Sequence, residues 1–287
     1  MLRLKPLPEE NATDFIKSVY EAVKVALQIP AVPLYFQYLG NYPEYLGYLW
    51  NILAPNIGTE GFNKAGSQID QIAAGAISVI YTPSETAKNL STQIHSSEKE
   101  QILRTIAELR QLNTYMMILT IAVRESLKGV YVAAKQISST RSSEHTQEPE
   151  TEKTIDEMVK ESLQTVAAGS SLQQVDTKVA NMLVPLYGSN ALMISQYPAF
   201  FSLSADELEN LMKTEAYLKA RVEMEKFTHI LLLQLPSPIH ISYIETSKML
   251  FNKPYAEDLL FLLKDTFPSH FPKLVLATEM MEKIIRE

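Results

Sequence analysis

IPAVPLYFQYLGNYPEYL, residues 29–46, returns in altered form as VPLYGSNALMISQYPAFF, residues 184–201. At one constant offset Pro30 falls on Pro185, Tyr42 on Tyr197, Pro43 on Pro198 and Tyr45 on Phe200. A self-similarity with two long copies reads as a duplicated domain, because a solenoid needs several short ones. The expected architecture is all-α, two homologous helical half-domains forming an intramolecular pseudo-dimer with a cleft between them. The expected divisions are an N-terminal repeat over 1–137, an exposed linker over 138–154 and a C-terminal repeat over 155–287. The linker rests on Ile137 to Lys153, ISSTRSSEHTQEPETEK, a polar Ser/Thr/Glu-rich stretch.

Working outward, helical periodicity dominates. Phe15, Val19, Val23 and Ala26/Leu27 share one face of a predicted helix over 11–28. Pro30, Pro33, Pro43 and Pro55 punctuate the segments that follow, 30–41 and 43–53. Phe62, Ala65, Ile69, Ile72, Ala76 and Ile80 carry a helix that Pro83 ends. Ser97 and Glu100 have capping-box spacing, and no Gly or Pro follows until Gly129, so a helix of about eight turns is expected. Ser204 and Glu207 have the same spacing and predict a second helix start, running towards Pro236. IHISYI, 239–244, alternates like a strand but is too short to outweigh its helical flanks. A last helix is expected over 271–287.

Composition excludes several functions. There is no cysteine, which removes disulfides, thiolate metal sites and Cys nucleophiles. A net charge of −7 with no basic stripe argues against nucleic acid. The longest apolar run, Tyr115 to Val123, is far below the roughly 20 residues of a membrane helix. MLRLKPLPEEN shows no signal-peptide hydrophobic region, so a cytoplasmic protein is expected. Five histidines lack zinc-ligand spacing, and no phosphate loop, Rossmann glycines or G-x-S-x-G occur, so neither metal nor cofactor is expected.

Two polar positions stand out. The buried stripe of the long helix, Ile102, Ile106, Leu109, Met116, Val123 and Leu127, is interrupted by Asn113 and Thr120. Asn113 reads either as a packing residue satisfied by a carbonyl or as a group aimed into a polar pocket, since a buried amide without partners is costly. Thr120 can bond within its own helix. Gly188-Ser189-Asn190 in the second repeat reads as a helix cap or as a site for an anion at a helix start. Tyr35, Tyr38, Tyr42, Tyr45 and Tyr48 form an aromatic run ending at Trp50, a pattern typical of core packing.

IPAVPLYFQYLGNYPEYLGYLW, LNTYMMILTIAVRESL and YGSNALMISQYP together resemble the group I 2-haloacid dehalogenases, over about residues 12–135 and 155–287. The resemblance implies an all-α pseudo-dimer, related to the alkylhydroperoxidase-D type, with a pocket between its halves. It also implies hydrolytic removal of halide from short 2-halo acids. In that family a water activated by an aspartate attacks carbon directly, without a covalent ester, and an asparagine of the first half holds the water. Asn113 matches that asparagine, and Ser189-Asn190 falls on the family's Ser-Asp pair, so the catalytic set carried over is Asn113, Ser189 and Asn190. An amide has no useful basicity near neutral pH, so Asn190 cannot take a proton from water. Ala31 and Leu34 stand where the family has larger aromatic groups. With Tyr35, Tyr187 and His270 they make up the expected pocket lining. Three readings follow: an altered dehalogenase-like hydrolase, a protein binding a small organic acid without turnover, or a structural module of the same fold. Either a monomer or a homo-oligomer is compatible with a pseudo-dimer.

Overall fold

The computed structural model describes residues 3–130, 132 and 197–287. Among these residues every regular element is helical; the only pairing of extended chain is an isolated antiparallel bridge between Val132 and Ile239. IHISYI is therefore not a strand but the approach to a helix that begins at Tyr243.

The first block comprises α1 (Asp14–Leu27), α2 (Leu34–Leu39), α3 (Pro43–Leu53), α4 (Glu60–Ile80), α5 (Glu85–Gln93) and α6 (Ser96–Leu127). The second comprises α7 (Pro198–Met212), α8 (Glu215–Leu231), α9 (Tyr243–Leu250), α10 (Ala256–Phe261) and α11 (Phe267–Arg286), with a π-helical turn over Leu262–Thr266 linking the last two. Pro268 has no N–H to give the carbonyl of Lys264, and its ring would strike it. The chain widens into the π turn, closed by the Phe267 N–H on the Leu262 carbonyl.

Local structure recurs between the blocks. α3 and α7 both start on a Pro at the first turn, after Tyr42 (φ −131, ψ 76) and Tyr197 (φ −128, ψ 57) respectively. At the same offset Thr59 caps α4 by accepting from the Phe62 N–H, and Thr214 caps α8 by accepting from the Tyr217 N–H. Each such cap is worth about 1 kcal/mol.

Two predicted helix starts are corrected. α6 begins at Ser96, and the reciprocal bond runs from the His95 N–H to the Glu98 carboxylate at 3.2 Å, two residues before the expected box. Ser204 starts nothing. Pro198 has already begun α7, so Ser204 lies buried in its interior, while Glu207 accepts from the Tyr81 hydroxyl. The helix expected from there to Pro236 is instead interrupted at Thr214, where α8 begins. The last helix starts at Phe267, earlier than expected. α6 ends as predicted at Gly129, whose φ of +84 lets the Val130 N–H reach back to the Glu125 carbonyl.

α6 and α11 form the centre of the molecule and run antiparallel. Arg110 of α6 meets Glu279 and Glu282, and Lys99 near the start of α6 meets Ser91, which bonds the Ile285 carbonyl near the end of α11. Asn56 and Ser237 exchange two bonds of 3.0 and 2.9 Å across the blocks, and the Tyr42 hydroxyl donates to the Pro254 carbonyl at 2.6 Å. No helix among the described residues is long and apolar enough to cross a membrane.

Candidate functional site

α6 is buried on nearly all sides from Asn113 to Val123, so its polar residues must find partners or go without. Thr120 donates to the Met116 carbonyl at 2.7 Å, satisfying itself within the helix. Asn113, 3% exposed, does not: its Nδ2 has no partner among the described residues. An orphaned buried donor costs about 1–3 kcal/mol, a cost that a bound ligand or water can relieve.

Two further expected lining residues share this property. Tyr35 on α2 is fully buried, and its hydroxyl is unpartnered among the described residues. Its ring meets Phe267 edge-on at 5.2 Å between centroids. Burial drives the Tyr35 phenol well above its ordinary pKa, so it stays protonated as a donor. His270 lies one turn beyond Phe267 on α11, buried, with Nε2 unpartnered among the described residues. Burial, assisted by the Lys273 charge, lowers its pKa to about 3, leaving a neutral imidazole at physiological pH. Tyr35 and His270 are thus brought to the same end of α11. Ala31 and Leu34 are half-buried at the start of the segment carrying α2. Tyr187, Ser189 and Asn190 lie outside the described residues, as does the expected linker.

The rest of the tyrosine run behaves as packing. Tyr35 and Phe36, Phe36 and Trp50, and Tyr38 and Phe267 meet edge-on, while Tyr45 and Tyr48 stack. Glu44 and Asp206 are exposed, and Glu125 is buried in ion pairs with Arg124 and Lys128 far along α6. No group of three or more His, Cys, Asp or Glu able to hold a metal occurs among the described residues.

One charged cluster escaped sequence reasoning. Asp70 on α4 accepts a 2.5 Å bond from the Thr114 hydroxyl, beside Asn113 in the chain, and Arg110 bridges Glu279 and Glu282 at 2.7 Å each. Burial raises the Asp70 pKa to about 6 despite the opposing Thr114 bond and Arg110 charge. Burial also raises Glu279 against the pull of Arg110. The available signal was Asp70 directly after Ile69 of the apolar stripe, a pattern that usually marks a solvated helix edge.

The sequence matches the family model described as halocarboxylic acid dehydrogenase DehI over residues 30–178, just over half of the chain. The chain belongs to the group I 2-haloacid dehalogenase family. An (R)-2-haloacid dehalogenase of Rhizobium sp. (strain NHG3) is 23% identical over 242 residues, 83% of this chain and 90% of that relative. The fold matches a D-2-haloacid dehalogenase mutant in complex with D-2-CPA at a TM-score of 0.74 and 17% identity, covering 99% of this chain and 97% of that one. It also matches a D-2-haloacid dehalogenase with L-LA at a TM-score of 0.70 and 16% identity, covering 99% and 98%.

Proposed function

We propose that this dehalogenase-family chain binds a small 2-halo carboxylate in a pocket between two pseudo-symmetric halves, with Asn113, Ser189 and Asn190 as its polar centre. The observation that carries the proposal is the buried Nδ2 of Asn113, without a partner among the described residues. The matched caps at Tyr42/Tyr197 and Thr59/Thr214 support two related halves, 1–137 and 155–287, joined by a linker. Tyr35 and His270, neutral and unpartnered among the described residues, would line the pocket with Ala31, Leu34 and Tyr187.

In the hydrolytic reaction a water oxygen bonds to the carbon bearing halogen, the carbon–halogen bond breaks, and halide leaves with the electron pair. The proton lost by the water needs a base. Asn190 cannot serve, and general-base catalysis typically supplies about 10²–10⁴-fold. The wild-type chain therefore holds the acid with slow turnover or none. The alternative of a carboxylate-binding protein without catalysis rests on the same amide at 190.

Halide release from D-2-chloropropionate and monochloroacetate, wild type beside Asn190→Asp, tests this. Release that rises by about 10² or more in Asn190→Asp fits an intact pocket lacking its base. Comparable rapid release by both would overturn the argument about position 190. Silence in both would refute the hydrolytic reading and favour binding without catalysis.

A further inference from the structure

Up to Gln111 α6 keeps an exposed face through Arg104, Ala107, Glu108 and Gln111, which orients it coarsely, but beyond Asn113 the apolar pattern marks no face. Met116, Met117, Ile118, Leu119, Ile121, Ala122 and Val123 are all buried and point all round the helix. An amphipathic helix is oriented by its polar face, and that face ends at Asn113. Directional side-chain bonds can refine the rotation there. Two lie against Asn113: one from Arg110, three residues before it, to α11 at Glu279 and Glu282, and one from Thr114, the next residue, to α4 at Asp70.

We propose that Thr114 and Asp70, with Arg110, are positioning residues for Asn113, setting the rotation of α6 at which its amide meets the water or acid in the pocket. This rests on the pocket reading above. A side-chain tip sits about 5–6 Å from a helix axis, so a 10° rotation moves it by about 1 Å. A misplacement of about 1 Å can cost about 10²-fold in rate. Arg110 and Thr114, one turn apart on the same face, tie α6 to α11 and to α4 respectively, so loss of either removes one of two restraints. Thr114 is the sharper probe, because Thr→Val keeps its shape and removes only the hydroxyl donor.

The test uses the full chain carrying Asn190→Asp, in which the pocket reading predicts turnover, with Asp70→Ala, Asp70→Asn, Thr114→Val or Thr114→Ser added. Asp70→Ala and Thr114→Val should each lower kcat by about ten-fold or more while KM moves by less than about three-fold, as expected when positioning and not acid binding is lost. Thr114→Ser keeps the donor and Asp70→Asn keeps an acceptor, so both should recover most of the rate. A lower melting temperature with unchanged kcat in Asp70→Ala and Thr114→Val would make the bond merely structural and overturn the inference alone. A silent Asn190→Asp parent would remove the hydrolytic reading and this inference with it.

Discussion

Asp70→Asn should stabilise the protein at alkaline pH and leave it unchanged in acid. The carboxyl is half-buried, and its pKa is raised from 3.8 to about 6, chiefly by burial. Between those values the unfolded chain has released its proton while the folded chain still holds it. The contribution of the neutral form is therefore fully present below pH 3.8 and lost as pH rises through about 6. Asparagine is neutral at every pH and retains an oxygen to accept from Thr114. A shift of about two units corresponds to about 3 kcal/mol, and partial exposure reduces this to about 1–2 kcal/mol. For a chain of this size that is roughly 2–5 °C in Tm. Calorimetric melting of both proteins from pH 3 to pH 8 should show curves that coincide below pH 3.8, separate between there and about pH 6, and stay apart above it, the variant higher. An Asp70→Asn protein that melts lower than wild type at pH 8, or a pH-independent gap, would refute the burial argument.

Asn113→Leu removes a donor without a partner among the described residues and should raise stability to denaturant by about 1 kcal/mol; a loss would mean that the amide has a bonding partner when no ligand is present. Thr59→Ala and Thr214→Ala should each cost about 1 kcal/mol, measured by urea unfolding, and unequal costs of several-fold would argue against equivalent caps. Gly61→Ala should be among the most damaging small changes, because its Cβ would lie 2.2 Å from the Gln234 backbone oxygen, which cannot swing aside. A loss of about 1–3 kcal/mol is expected, and a neutral effect would contradict the close approach of α4 to that segment.

Much of the helical order was legible because its signals are local. Pro43 and Pro198 start helices, Pro83 follows the end of α4, and Gly129 closes α6 through a left-handed turn. The two misplaced starts show the limit of such motifs. Ser204 and Glu207 have capping spacing, but Pro198 upstream had already set the helix, so the motif lies in its interior. The π turn before Pro268 was not legible, since it is a compromise between proline sterics and packing against α6. Within the candidate site, Asn113 was visible as a break in an apolar stripe. Asp70, Arg110 and Glu279 were not, because single charges on amphipathic helices ordinarily face water and only tertiary packing brings these three together. The tyrosine run reads as packing, and the Tyr35 ring does pack; its buried, unpartnered hydroxyl becomes visible only once α2 is placed against Phe267.

The claim at the centre is that Asn113 belongs to a pocket for a small halo acid and not to a filled core. Equilibrium titration of D-2-chloropropionate into the wild-type protein and into Asn113→Leu tests it without requiring turnover. One acid should bind per chain in wild type, and the variant should bind it at least about ten-fold more weakly, the loss of roughly 1.4 kcal/mol expected for one buried hydrogen bond. Absence of binding in wild type, or equal affinity in the two proteins, would contradict the account.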